Sequence, residues 1–265
     1  MSRFEQNDFG FYENYSVTKT SNIWHENHMH NYYELYYLLE GDVDHIVENT
    51  VYHLQPHDLL LIHPTQYHYP KPLSDAPYHR IIINFTTKHL FNLMRNDITS
   101  LQTHYRIPTN SLINQYYKNG INIINRYNEI DTYDCLVQYL NQILTELKYN
   151  EDFINQGLPT IIHPLLGEIL TFIDQNLNQE LNVHILSEKF LISPSWIMHA
   201  FRNILNISTM EYINRKKVLY AQQLILAGVP AMEAAEYCNF KNYPTFYTQY
   251  KKILGIPPMK SKHDK

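Results

Sequence analysis

The chain of 265 residues, 31.6 kDa, is long enough for one large domain or two medium ones, and its 44% hydrophobic and 14% aromatic content supplies a packed core, which argues against global disorder. Its two cysteines, Cys135 and Cys238, lie about a hundred residues apart in no CxxC or Cys/His pattern, so neither a disulfide scaffold nor a zinc ribbon is expected. No basic segment leads into an apolar run at the N-terminus and nowhere do about 18 apolar residues run together, which points away from secretion and membrane spanning and toward a reducing, cytoplasmic location.

The formal charge of −5 is unevenly spread. Residues 1–164 carry 10 basic and 18 acidic side chains, whereas residues 165–265 carry 11 and 8. Nine of the 15 histidines fall between His25 and His79. Two modules with different tasks are therefore expected.

From about Ile23 to Phe85 the pattern is strand-like. Short apolar or β-branched runs at Leu35–Leu39, Val43–Glu48, Leu59–Ile62 and Ile81–Ile83 are separated by turn signals such as Glu40-Gly41-Asp42 and Gln55-Pro56-His57-Asp58. That spacing predicts a β-sandwich or barrel with alternate side chains facing inward. After Phe85 the period becomes helical. Asp131–Tyr149 places Leu136, Leu140, Ile143, Leu144 and Leu147 on one helix face, to be covered either by the β-rich region or by a second copy of the chain. Asn150–Pro159 reads as a linker.

The last hundred residues are dense in helix signals. His163-Pro164 opens one helix, Asn182 caps a short second one, and Ser193 caps a third with Pro194 at its first position. The Leu191-Ile192-Ser193 joint makes this pair a helix-turn-helix whose second helix offers a polar edge suited to the major groove of DNA. Ser208-Thr209-Met210-Glu211 has the form of a capping box and starts a long helix ending near Ala227-Gly228. Pro230 begins another helix, Asn239–Asn242 forms a turn, and a last helix runs from Tyr243 to about Leu254, closed by Gly255 and Pro257-Pro258. Two helix-turn-helix units bridged by one helix result.

Across Leu181–Met259 this segment resembles the DNA-binding domain of the AraC/XylS family of bacterial transcription regulators. The matching positions in the second unit are Phe240, Asn242, Thr245, Phe246, Tyr250, Lys251, Lys252, Gly255 and Pro258. Two positions depart from the family pattern: Asn239 replaces a glycine, and Pro244 removes one N–H from the first turn of the last helix. The resemblance implies DNA contacts by Ser195, Trp196, Met198, His199 and Arg202 in the first unit, and by Tyr243, Thr245, Tyr247, Thr248, Lys251 and Lys252 in the second. Arg202, Lys217, Lys251 and Lys252 suit phosphates better than bases. Trp196 could equally be packed within the domain.

In the first module, His28-x-His30-x3-Glu34-x6-Gly41 has the spacing of the first cupin motif, and His68 falls where the second motif supplies its histidine. The rest of that second motif is altered, with His57 and Thr65 standing at glycine positions. In a strand His28 and His30 would point the same way and could converge with Glu34 and His68 on one ion. AraC-type regulators resemble this region too and use it to sense a small molecule. Candidate effector contacts are Trp24, His28, His30, Glu34, Tyr36, His68 and His79, a set suited to a polar, sugar-like metabolite.

The expected fold is α+β: a cupin-like β-barrel with following helices over residues 1–158 for effector sensing and dimerisation, and an all-α domain with two helix-turn-helix units over 159–265. The resemblance implies a sequence-specific regulator without a cofactor. Its implied partners are double-stranded promoter or operator DNA, a small-molecule effector, a second copy of the chain and RNA polymerase. The competing reading is a metal-dependent cupin enzyme, an oxygenase or isomerase, with an accessory helical domain. No Gly-rich phosphate loop, HExxH or Ser-His-Asp order supports another enzyme class.

Overall fold

A computed structural model of the chain describes residues 2–17, 28–154 and 159–258. Two compact units are present, a β-rich one drawn from the described residues within 1–26, 32–47 and 51–160, and a helical one that holds those within 27–31, 48–50 and 161–265.

The β-rich unit begins with a hairpin, β1 (Arg3–Gln6) and β2 (Phe9–Val17), turned by Asn7 and Asp8, both at positive φ. Strands β3 (Tyr33–Glu40), β4 (Val43–Val47), β5 (Thr50–Leu54), β6 (Asp58–Ile62), β7 (His68–Pro72), β8 (Pro77–Phe85) and β9 (His104–Arg106) follow. The larger sheet is ordered β1-β2-β8-β3-β6-β9, while β5, β4 and β7 lie side by side in the second. Strand alternation then builds two cores. Tyr36, Leu38, Leu60, Ile62 and Tyr78 of the larger sheet meet Val43, Val47 and Leu54 of the smaller one in the interior between them. The opposite faces of the same strands, with Leu35, Tyr37, Leu59, Leu61, Ile81, Ile83 and Phe85, are covered by helices.

Those helices are α2 (Leu112–Ile124) and α3 (Glu129–Tyr149), which follow a single turn, α1 (Asn92–Arg95). The Leu136, Leu140, Ile143, Leu144 and Leu147 stripe is buried against the larger sheet, so of its two expected covers the β-rich region is the one observed. One polar residue interrupts the buried face of α3. The Asn141 amide donates to the His89 carbonyl at 2.8 Å and accepts from the Phe91 N–H at 2.7 Å, tying the loop before α1 to the helix. Gly120 lets α2 come close, since a Cβ there would stand 3.0 Å from the Phe11 ring.

Three parts of this unit lie outside the sequence expectations. The β1–β2 hairpin precedes the strand-like region, α2 interposes before α3, and β7 runs through Lys71-Pro72, residues of turn rather than strand composition. Residues 29–32 form no strand, so His28 and His30 are not set by strand alternation. They stand close nonetheless, with ring centroids 5.5 Å apart.

The helical unit contains α4 (Pro164–Gln175), α5 (Val183–Phe190), α6 (Pro194–Ala200), α7 (Thr209–Leu226), α8 (Ala231–Tyr237) and α9 (Tyr243–Leu254). Side-chain caps start four of them. Asn182 accepts from Ile185 N at 3.0 Å, Ser193 from Trp196 N at 3.2 Å, Ser208 from Glu211 N at 3.2 Å and Asn242 from Thr245 N at 2.9 Å. The box at Ser208 is not reciprocal, because the Glu211 carboxylate accepts from Arg215 instead, at 3.0 Å. Asn239 turns the α8–α9 joint at φ 54°, the left-handed conformation that a glycine would adopt without strain. Val218, Ala221, Ile225, Ala234, Ala235, Cys238, Phe246 and Tyr250 make the core that binds α7, α8 and α9 together. Burial pushes the Cys238 thiol up to about 12. Among the described residues no helix is long and apolar enough to cross a membrane.

Candidate functional site

Two arrangements stand out, one in each unit. In the helical unit α5–α6 and α8–α9 are two helix-turn-helix pairs. Each second helix buries one side and exposes the other. Ile197, Ala200 and Phe201 are buried, whereas Ser195, Met198, His199 and Arg202 are exposed. On α9, Phe246 and Tyr250 are buried while Thr245, Tyr247, Thr248, Lys251 and Lys252 are exposed and Tyr243 is half-buried. The caps matter here because they fix where each polar edge begins. The first edge is also prolonged, as α6 runs into a π-helical turn over Phe201–Leu205.

Within that edge the Asn203 amide donates to His199 Nε2 at 2.7 Å, which leaves Nδ1–H as the donor of the imidazole ring. Trp196 is half-buried with its ring 5.0 Å from that of His163, so much of its indole is spent on packing. Thr248 donates its hydroxyl to the Pro244 carbonyl at 2.9 Å, and Tyr243 stacks near Phe246 and Tyr247. Lys217 does not belong with the phosphate candidates. It is buried, its ammonium donates to the Gln179 carbonyl at 2.8 Å, and burial lowers its pKa. The i, i+4 spacing within α7 places it on the face that meets the α8–α9 turn, a fact invisible in its charge alone.

The second arrangement is the interior between the sheets. Of the four residues with cupin-like spacing, Glu34 and His68 are buried in this interior, whereas His28 and His30 belong to the helical unit. Glu34 and Tyr36 project inward from β3, and His68 does so from the start of β7, where it pairs with Val47. His68 Nδ1 donates to the Gln66 carbonyl at 2.9 Å, which fixes the tautomer and directs Nε2 toward Glu34, 3.8 Å away. Tyr36 is hydrogen-bonded to Tyr78 hydroxyl to hydroxyl, and burial raises both phenols, Tyr78 to about 12. The Tyr36 ring meets His45 edge-on at 4.6 Å, and His45 stacks over His68 at 6.0 Å.

Two sequence candidates fall elsewhere. Trp24 lies outside the described residues. His79 is on the other face of β8, the one that Ile81, Ile83 and Phe85 share, so by plain alternation Tyr78 and Arg80 face the interior while His79 pairs with Glu13 at 3.2 Å beside Tyr15. Sequence reasoning passed over His45, Tyr78 and Arg80. His45 alternates with Val43 and Val47, which is a usable signal, but Tyr78 and Arg80 depend on which parity of β8 faces inward.

Comparison with known proteins adds two family matches. Residues 19–115 match the AraC-like ligand binding domain and residues 186–263 a helix-turn-helix domain. An uncharacterised response regulatory protein of Staphylococcus epidermidis and the transcriptional regulatory protein HptR of Staphylococcus aureus are each 26% identical over 117 residues, 44% of this chain and 42% of theirs. The chain thus aligns with less than half the length of these curated relatives. Among solved structures, ToxT from Vibrio cholerae is similar at 14% identity, covering 99% of this chain and 95% of its own, with a TM-score of 0.41.

Proposed function

Because this chain belongs to the AraC family of transcription regulators, joining an AraC-like ligand binding domain to a helix-turn-helix domain, we propose that it binds specific promoter or operator DNA under control of a small-molecule effector. The observation that carries this reading is the pair of capped helices α6 and α9, each with a polar edge exposed and an apolar side buried. His199 is the main base reader of the first edge. Its single outward N–H selects one acceptor on a base edge, where an arginine would make a two-point contact with guanine. Arg202, Lys251 and Lys252 neutralise phosphates and set the register. Residues 159–265 form the DNA-binding module and residues 1–158 the effector and dimerisation module. The protein works in the cytoplasm as a homodimer that engages RNA polymerase at the promoter, and it performs no chemistry of its own.

The effector fits the aromatic and histidine-rich interior around Tyr36 and His68, where hydrogen bonding and ring stacking suit a polar metabolite. It acts by binding one arrangement of the β-rich module better than another. The enzyme reading draws on the cupin-like spacing of His28, His30, Glu34 and His68 in the sequence alone.

Selection of genomic fragments by the purified chain, followed by footprinting, tests the proposal. Two successive major-groove faces about one helical turn apart should be protected per protomer. His199→Ala should relax base preference, and Lys251→Ala should weaken all sequences alike. Failure to enrich any fragment would refute DNA reading, and identical behaviour of the two variants would refute the division of contacts.

A further inference from the structure

We propose that the effector is a hydroxylated carboxylic acid whose carboxylate is held by Arg80 and Ser16 on the inner face of the β2–β8 strand pair; the inference rests on the reading of this module as an effector sensor and names the chemical class of what it senses. Tyr78, Arg80, Ile82 and Asn84 alternate along β8 with Ile81, Ile83 and Phe85, and Tyr78 and Ile82 belong to the interior between the sheets. Strand β2 runs antiparallel to β8 with Ser16 opposite Tyr78 and Asn14 opposite Arg80. Ser16 and Arg80 are therefore diagonal neighbours on one face, about 7–8 Å apart at the backbone and within reach of a long side chain.

Three polar atoms on this face lack what burial demands. Arg80 Nη1, Ser16 Oγ and Asn84 Oδ1 are buried, and none has a hydrogen-bond partner among the described residues. Native interiors rarely leave such groups unpaired, because the hydration they lost is not returned. Arg80 is the most demanding of the three, since water could satisfy its hydrogen bond but not its charge. Its guanidinium lies 4.1 Å from the centroid of the Tyr78 ring, and among the described residues it makes no ion pair. Glu34, the acid of the same interior, stands against His68 Nε2 at 3.8 Å instead. Both charges reach the Tyr78 phenol: burial is the main cause of its raised pKa, Arg80 opposes the rise and Glu34 adds to it. Glu34 therefore limits the charge of the ligand. A dianion such as a phosphate ester would be repelled by it, whereas a single carboxylate needs one cation and matches the fork of a guanidinium. Ser16 can donate its hydroxyl to the same carboxylate, and Asn84, opposite Glu34 on β3, offers an acceptor to a ligand hydroxyl. A carboxylate together with hydroxyl groups is the composition of a sugar acid rather than of a neutral sugar.

The test measures the melting temperature and equilibrium binding of the full-length chain with glucuronate, galacturonate and gluconate, each set against its neutral counterpart, glucose, galactose and sorbitol. At least one acid should raise Tm in proportion to the logarithm of its concentration while its neutral counterpart does not. Arg80→Gln should weaken binding of that acid by more than about 30-fold, because it removes one partner of a buried charge pair. The same variant should leave the Tm of the unliganded chain unchanged, which a guanidinium needed for folding would not allow. Ser16→Ala should weaken binding by about 5-fold, and Arg126→Gln, at an exposed position after α2, should not weaken it. Stabilisation by neutral members alone overturns the carboxylate and leaves effector sensing intact, as does acid binding that survives Arg80→Gln. Stabilisation by no member overturns the proposed class outright. No DNA enters the experiment, so each of these outcomes is read apart from the selection of genomic fragments.

Discussion

Below neutral pH the His89 imidazole turns from a support into a liability. Its Nδ1 accepts the Thr86 N–H at 3.0 Å and its Nε2–H donates to the Asn7 carbonyl at 3.0 Å, an arrangement open only to the neutral ring. Burial lowers its pKa, and the Asn7 carbonyl, with the Thr86 carbonyl that a protonated Nδ1 would meet, only partly offsets that. The unfolded chain therefore takes up the proton first. Stability is at its full value above the unfolded pKa of about 6.5 and is lost as pH falls through the lower, folded value. Thermal melts between pH 7.5 and 5 should show this decline, and His89→Gln should flatten it; an unchanged slope would remove His89 as its source. Thr65 offers the opposite kind of change. It holds φ 68° where the motif would have glycine, and the left-handed conformation costs a side-chain-bearing residue about 1–2 kcal/mol. Thr65→Gly should raise stability by about 1 kcal/mol, or about 2–4 °C in Tm. His57 also sits at positive φ, but its Nδ1 is 2.9 Å from the Tyr37 hydroxyl, so His57→Gly should gain less.

At the scale of elements, caps and apolar stripes carry the predictions. Asn242→Ala removes the only side-chain acceptor at the start of α9 among the described bonds and should cost about 1 kcal/mol, seen as earlier urea unfolding of the helical unit. Leu140→Ala cuts into the fully buried stripe of α3 and should cost about 2–5 kcal/mol in the β-rich unit. These elements were legible because their signals are local: Asn182, Ser193, Ser208 and Asn242 announce helix starts within three residues, and the α3 leucines repeat at helical spacing. The β1–β2 hairpin was not, since β2 gains its pairing from β8, with Phe11 opposite Ile83 far along the chain. The interior was half legible. Glu34, Tyr36 and His68 follow from motif and alternation, but the Ile81-Ile82-Ile83 run is apolar on both faces and does not say which parity of β8 turns inward, so Tyr78 and Arg80 take the place expected of His79.

On the scale of the whole chain, charge sets what DNA binding can look like. The acidic first part, with 18 acidic against 10 basic side chains over residues 1–164, denies the protein a general attraction to polyanions. Binding by the proposed regulator should rest on Arg202, Lys251 and Lys252, giving a slope of log K against log salt of about −3 per protomer, with Lys251→Ala reducing it by about one. A slope twice as steep would mean that further cations engage phosphate. The core of the helical unit adds an internal reporter. Cys238 is fully enclosed with its thiol held protonated, so an alkylating reagent can reach it only when α7, α8 and α9 come apart. In a Cys135→Ser background, the rate of labelling becomes a clock for that opening, and bound operator should slow the clock without touching the sulfur.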